Sequence, residues 1–414
     1  MSSESALWRD RDFVRLWSAQ AVSAFGARIT REGLPIAAVF TLGASPAQLG
    51  LLSALSHGPA LIVGLAAGGF VDRSKRRGLM MAADLVRALV LASIPVAALL
   101  HLLTLPQLYV AAALVGAASV LFEIADHAYL PGLVAREDIT RANASLSATE
   151  SVAEIAGPAL AGALFQVLAA PLAIAVNAVT YLVSALFLTG IRKVEPTPEP
   201  EPHARWTDDV RLGFGTALRH PLVRPVFLSS WMQSLAGGTF GALYILFCVK
   251  VVGLSPSLLG LTIAAGGLGA LIGAAVAGWL SKRLGVGPSF LGAQVLVALA
   301  IAIIPLSPAD PARGMSFLVV SQVLGDAFGV ATMILGTSLI QTVMPVAVLG
   351  RVNASFRAIN GGLAVVGAIL GGLLGEAIGV RGAIWVGVAG LALAPLFSLP
   401  SPLRRLREMP ETPG

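Results

Sequence analysis

Long apolar runs alternate with short polar or Pro/Gly breaks along almost the whole chain. The runs fall at roughly 14–41, 47–70, 79–102, 106–128, 144–168 and 171–191, then at 224–250, 256–281, 287–307, 314–341, 353–378 and 381–400. Each approaches or exceeds the length of about 20 residues that a helix needs to cross hydrocarbon at 1.5 Å per residue. The pattern predicts an all-α membrane protein of twelve transmembrane helices in two pseudo-symmetric six-helix bundles. MSSESALWRDRDF runs straight into the first apolar segment, which reads as a retained span and not as a cleaved leader.

The polar stretch between the two sets opens as a Pro/Glu linker. From Trp206 it changes character: Trp206, Val210, Phe214, Ala217 and Leu218 recur at helical spacing opposite Arg211 and Arg219. That pattern predicts an amphipathic helix lying in the membrane interface. The expected division is a first bundle over 1–191, a cytoplasmic linker with its helix over 192–222, and a second bundle with a short cytoplasmic tail over 223–414.

The two sets are copies of each other. SPAQLGLL at 45–52 returns as SPSLLGLT at 255–262, and the same offset of 210 carries Gly68 onto Gly278 and Arg73 onto Arg283. RANAS at 141–145 lands on RVNAS at 351–355 without a break in register. Two parallel six-helix halves of this kind are a transporter-type repeat.

Composition agrees: 56% of the 414 residues are hydrophobic and only 12% charged, about half the charged share of a soluble domain. The net charge of +6 and pI near 10 would suit a nucleic-acid partner, but the position of the charges explains them differently. With the N-terminus inside, twenty-one Lys and Arg fall on cytoplasmic segments and three on the opposite side. This bias orients the protein in a bacterial inner membrane with both termini cytoplasmic, and it leaves no role for nucleic acid. Cys248 is single and lies in an apolar run, so it reads as packing.

GGFVDRSKRRG at 68–78, between the second and third spans, resembles the loop signature of the major facilitator superfamily, with Lys75 where a Gly is usual. Its second-half copy is GWLSKRLG, with Lys282 at the acidic position. The resemblance continues in DRDFVRLWSAQAVSAFG, AADLVRALVLASIP, AYLPGLVAREDITRANASL, LAAPL at 168–172 and SPLRRLRE. Those stretches are similar to a bacterial exporter branch that includes macrolide-efflux and siderophore-exporter proteins. The resemblance implies a conformational latch of Gly68, Asp72, Arg73 and Arg76 facing the start of the eleventh span at Asn353. Glu123 and Asp126, near the cytoplasmic end of the fourth span, are assigned to the same latch. EIAGPALAGAL at 154–164 resembles the superfamily antiporter signature, with Ala161 where a Gly is typical. There Glu154, Gly157, Pro158 and Gly162 would form a kinked, thinned helix.

Charges inside apolar spans are functional candidates, each needing a partner. In GARITREGLP, Arg28, Arg31 and Glu32 share one helical face, and Arg28 and Glu32 have the i,i+4 spacing of a direct pair. One arginine is then in excess and needs a further carboxylate, water or an anionic substrate group. In the superfamily fold spans 1, 4, 7 and 10 line the cavity. That implies a substrate and proton site of Arg28, Arg31, Glu32 and Asp326 with Gln20, Gln233, Tyr244 and Gln322. Asp84 and Arg87, at i,i+3 on the third span, are expected to satisfy each other.

His57 and His127 have no metal-ligand spacing, and no phosphate loop or nucleotide motif stands out. The sequence therefore points to a transporter and not an enzyme, a monomer without cofactor, driven by an ion gradient. The expected activity is export of an amphipathic small molecule (a drug, siderophore or other metabolite) by alternating access in exchange for protons. A uniporter or importer of a polar metabolite and a lipid or lysolipid translocator remain as alternatives.

Overall fold

A computed structural model describes residues 7–71, 74–193, 195 and 206–410. The described residues form helices and connecting turns, with no strand among them. They group into two units, one of Met1–Ala44 with Leu55–His203, the other of Ser45–Ala54 with Ala204–Gly414.

Six helices run through the first half of the chain: α1 (Arg11–Phe40), α2 (Pro46–Val71), α3 (Arg76–Leu99), α4 (Leu105–Leu133), α5 (Ile139–Val167) and α6 (Ala170–Thr189). The linker helix is α7 (Trp206–Arg219). It is followed by α8 (Val223–Leu246), α9 (Pro256–Leu284), α10 (Val286–Leu306), α11 (Pro311–Val343) and α12 (Val346–Leu393). At 48 residues α12 is long enough for two spans, and Gly379 divides it with φ 78° and ψ 157°. A side chain at that φ would be strained, so the break expected between 378 and 381 sits on a glycine.

The helix starts follow from capping chemistry. Asp10 accepts from the N–H groups of Asp12 and Phe13 at 2.9 and 3.3 Å. At α2, Ser45 Oγ accepts from Gln48 N–H (3.4 Å) while Gln48 Oε1 accepts from Ser45 N–H (2.8 Å), a reciprocal capping box. Its copy at α9 keeps half of this device: Ser255 Oγ accepts from Leu258 N–H, and Pro256 occupies the first turn. Asp310 does the same for Arg313 N–H at the start of α11.

In the first unit α1 packs on α5 and α6, and α3 on α4 and α6. Phe13, Leu16, Met80, Leu130 and Leu133 form the core at the end where α1 begins. In the second unit α8 packs on α12, and α9 on α11. Glycines four residues apart allow both contacts. Gly269 and Gly273 lie on the backbone of Val323 and Ala327, and Gly367 and Gly371 on that of Leu235 and Thr239. Large apolar side chains such as Leu89, Leu99, Val110 and Leu299 point outward. Eight of the described helices are long and apolar enough to cross a membrane by length and composition.

The linker helix is more deeply engaged than an interfacial helix. Ala217 is fully buried, the Phe214 ring stacks on Trp231 of α8 at 5.8 Å, and Gly213 lies against the Arg351 carbonyl of α12. Phe214 and Ala217 of its apolar face thus meet protein, and the helix packs along α8 and α12.

The start of the linker is strapped to the first unit. Asp12 accepts from the N–H groups of Arg192 and Lys193, and Lys193 Nζ donates to the Leu133 carbonyl at 2.7 Å. Glu195 then caps α3, accepting from Arg76 N–H at 2.8 Å and Arg77 N–H at 3.2 Å.

Candidate functional site

In the first unit the charges of α1 converge on α5. Arg28 forms an ion pair with Glu154. Arg31 Nη1 donates to the other carboxylate oxygen of Glu154 at 3.1 Å, and Arg31 Nε lies 3.8 Å from Glu32. Glu154 thus holds both guanidiniums, and Glu32 is buried at 8% exposure beside them.

This corrects the pairing expected from helical spacing. Arg28 goes to α5 and not to Glu32, because α1 and α5 approach closely at Gly157. A Cβ at Gly157 would fall 2.5 Å from the Arg28 Cγ. The arginine stem therefore lies over the glycine, and its guanidinium reaches Glu154 almost one turn earlier on α5. The excess arginine disappears as well: two guanidiniums face two carboxylates, and Glu150 lies within Coulombic reach of Arg28. Within this cluster no guanidinium is left in excess to call for an anionic substrate group.

Neighbouring polar contacts fix α1 in place. Asn177 on α6 donates to Thr30 and pairs with Thr180, and Gly26 leaves room for both. Towards the start of α1, Trp17 Nε1 donates to Thr149 Oγ1 on α5 at 2.9 Å. Gln20 donates to Asp126 on α4. Asp126, assigned to the latch from its position, is buried against the cavity-lining candidate Gln20. Glu123 stays exposed and lies 3.9 Å from His127.

Of the other latch residues, Asp72 and Arg73 lie outside the described residues, as do the surroundings of Gly68. Arg76 is present at the capped start of α3. Asn353 lies in the second turn of α12, in the second unit. In α5, Gly157 and Gly162 are buried in a helix continuous from Ile139 to Val167. The Pro158 side chain lies outside the described residues, and what Gly157 contributes is thinness where Arg28 crosses.

The second unit holds the remaining candidates. Gln322 Nε2 donates to Asp326 at 2.7 Å on α11, beside Gly266 of α9. Gln233 and Tyr244 are half-buried on α8. Ser234 next to Gln233 donates to Asn360 of α12 at 2.9 Å. Asn360, like Asn177, gives no sign in the sequence, because a neutral amide inside an apolar run carries no charge signal.

The Asp84–Arg87 pair forms as expected and is buried. Ser184 donates to Asp84 at 2.7 Å. The Arg87 guanidinium lies between the rings of Phe122 and Tyr181, at 4.6 and 4.2 Å. Among the described residues no cluster of His, Cys, Asp and Glu could hold a metal ion.

The sequence model of a family described as transmembrane secretion effectors matches residues 2–413. The chain is 26% identical over 383 residues to an uncharacterized MFS-type transporter, YfiS, of Bacillus subtilis, covering 91% of this chain and 90% of that protein. It is 28% identical over 374 residues to the enterobactin exporter EntS of Citrobacter koseri, covering 88% and 86%. The solved nucleoside transporter NupG superposes with a TM-score of 0.72 at 14% identity, over 94% of this chain and 98% of that one. A bacterial homologue of the iron transporter ferroportin in an inward-facing state gives 0.73 at 17%, over 94% and 98%. At these identities the two structures speak for the fold alone.

Proposed function

Because the chain belongs to the transmembrane secretion effector family, a group of major facilitator transporters, we propose that this multi-pass membrane transporter exports an amphipathic small molecule in exchange for protons. The observation that carries the proposal is Glu154 holding Arg28 and Arg31 together, with Glu32 buried beside them. Arginine and carboxylate in balance, within apolar helices, form a cluster whose pairing changes when one proton arrives. A proton on Glu154 releases two guanidiniums from α5, and a proton on Glu32 removes a partner of Arg31 within α1 itself. The first event loosens what ties α1 to α5, the second changes how firmly Arg31 is committed to Glu154, and alternating access needs such a change.

Asp326, hydrogen-bonded to Gln322, is the corresponding proton candidate of the second unit. The substrate is read as amphipathic because the spans offer few hydrogen-bonding groups. The exporter relative EntS supports the outward direction. The proposed location is the bacterial cytoplasmic membrane, with both termini inside and a monomer as the working unit. The energy source is the proton gradient, without a cofactor.

The test begins with a growth-inhibition panel of antibiotics, dyes and siderophores on a deletion strain and an overexpressor. The compound found is then assayed in inverted vesicles with an imposed proton gradient. Gradient-driven accumulation that Glu154→Gln and Glu32→Gln each lower by about tenfold or more supports the assignment. Full coupling in both variants overturns it.

A further inference from the structure

The chain after α12 folds back onto the turn between α9 and α10. Val286 N–H donates to the Arg407 carbonyl at 3.2 Å and Gly287 N–H to the Leu406 carbonyl at 2.9 Å. Leu403 is fully buried. The tail lies so close that a Cβ on Gly285 would stand 2.8 Å from the Arg407 Cα. The docked tail brings Arg404, Arg405 and Arg407 to the end of α9, where Lys282 and Arg283 occupy the last turn.

All five side chains are exposed, and none forms an ion pair among the described residues. Glu408 is the single acid between residues 401 and 410. Trp279 precedes Lys282 and Arg283 by three and four residues, on the same helix face. Its side chain is 58% exposed, and the Arg283 guanidinium lies 5.6 Å over its ring. One turn of α9 places the indole about 5 Å deeper in the bilayer than the cations.

We propose that this patch binds the headgroup of an anionic phospholipid, held as a bound lipid and not as cargo. The cations stand at the level of the phosphodiester. The indole stands below them, where tryptophan favours the glycerol and carbonyl layer. A soluble anion would find the charge but would have no use for an exposed tryptophan a turn below it. Basic clusters at helix ends on the membrane surface attract anionic headgroups in this way. The proposal rests on α9 crossing the membrane and is independent of substrate and direction of transport, so it stands or falls separately from the export reading.

The full chain is placed in phosphatidylcholine nanodiscs containing a minority of phosphatidylglycerol, and the lipids it retains are identified by native mass spectrometry. Retention of phosphatidylglycerol over phosphatidylcholine by about tenfold is expected. Lys282→Gln with Arg283→Gln, which leaves the tail and its backbone hydrogen bonds untouched, should lower that preference several-fold. Replacing Arg404, Arg405 and Arg407 by Lys should keep it, and Trp279→Ala should weaken it. Three results would overturn the proposal: equal retention of both lipids by the wild type, an unchanged preference in the glutamine variant, or displacement of phosphatidylglycerol by inorganic phosphate alone.

Discussion

Arg28 on α1 and Glu154 on α5 are ion-paired across the point where Gly157 lets the two helices touch. The glycine and the pair are one device, because the arginine stem occupies the space that a larger residue at 157 would fill. Perturbing either member therefore reaches the other.

Gly157→Leu should displace the Arg28 stem and break the pair with Glu154. Overpacking of this kind costs about 1–3 kcal/mol, which a protein of this size survives. Gradient-driven transport in vesicles should fall strongly while expression and elution on gel filtration persist. Undiminished transport would show that the α1–α5 contact does not govern activity.

The two proposed proton carriers should differ in their partners. Glu154→Gln leaves Arg28 and Arg31 without their shared carboxylate, and Glu32→Gln removes one partner of Arg31 alone. Thermal unfolding in detergent should show the larger loss for Glu154→Gln. Arg28→Met combined with Glu154→Gln should recover part of that loss, since it removes the unpaired charge. Additive losses in the double variant would rule out a direct coupling.

The Asp84–Arg87 pair is a structural element. Asp84→Ala should destabilise by about 3–5 kcal/mol, since it strands a buried guanidinium between Phe122 and Tyr181. Adding Arg87→Leu should return much of that cost, measured as the midpoint of thermal or denaturant unfolding. A double variant less stable than Asp84→Ala would contradict this assignment.

Asp12 gives the strap at 192–195 a defined response to pH. Partial burial works against its charged form, but the N–H groups of Arg192 and Lys193 and the guanidinium of Arg15 outweigh it. The carboxyl group is thus held below its ordinary value of 3.8. A depressed value stabilises the folded contact above the ordinary value, and the contact is lost as pH falls through the lower one. Hydrogen exchange at Arg192 and Lys193, corrected for the intrinsic pH dependence of exchange, should show unchanged protection from about pH 7 down to about pH 5 and a drop only below the ordinary carboxylate range. Asp12→Asn should expose both amides already at neutral pH.

Much of this was legible in the sequence, and what escaped has a physical reason. Span positions and the Asp84–Arg87 pair depend on local periodicity, so the apolar runs and an i,i+3 spacing suffice to find them, while the duplication shows in motifs that recur at one offset of 210 residues. The break at Gly379 lay in the gap between two runs. The partner of Arg28 is hidden in the sequence because helical spacing ranks neighbours within one helix, while Glu154 wins through a tertiary crossing at Gly157. Gln20 and Asp126 fall to different roles in the sequence, since nothing in either run shows that α1 and α4 bring them together. Helix α7 was found from its amphipathic pattern. That pattern alone does not distinguish a lipid interface from the flanks of α8 and α12.

The strap on the first unit has a counterpart 210 residues later. Arg76 and Arg77, whose N–H groups Glu195 caps, correspond to Val286 and Gly287, which the carbonyls of Leu406 and Arg407 cap. Each half of the duplication thus closes its third helix with chain that follows its sixth. An N-terminal fragment cut at residue 191 would leave α3 open, and a cut beyond Glu195 keeps its own closing segment. The same holds for a C-terminal fusion, which must begin after the docked residues 403–407 if α10 is to stay closed.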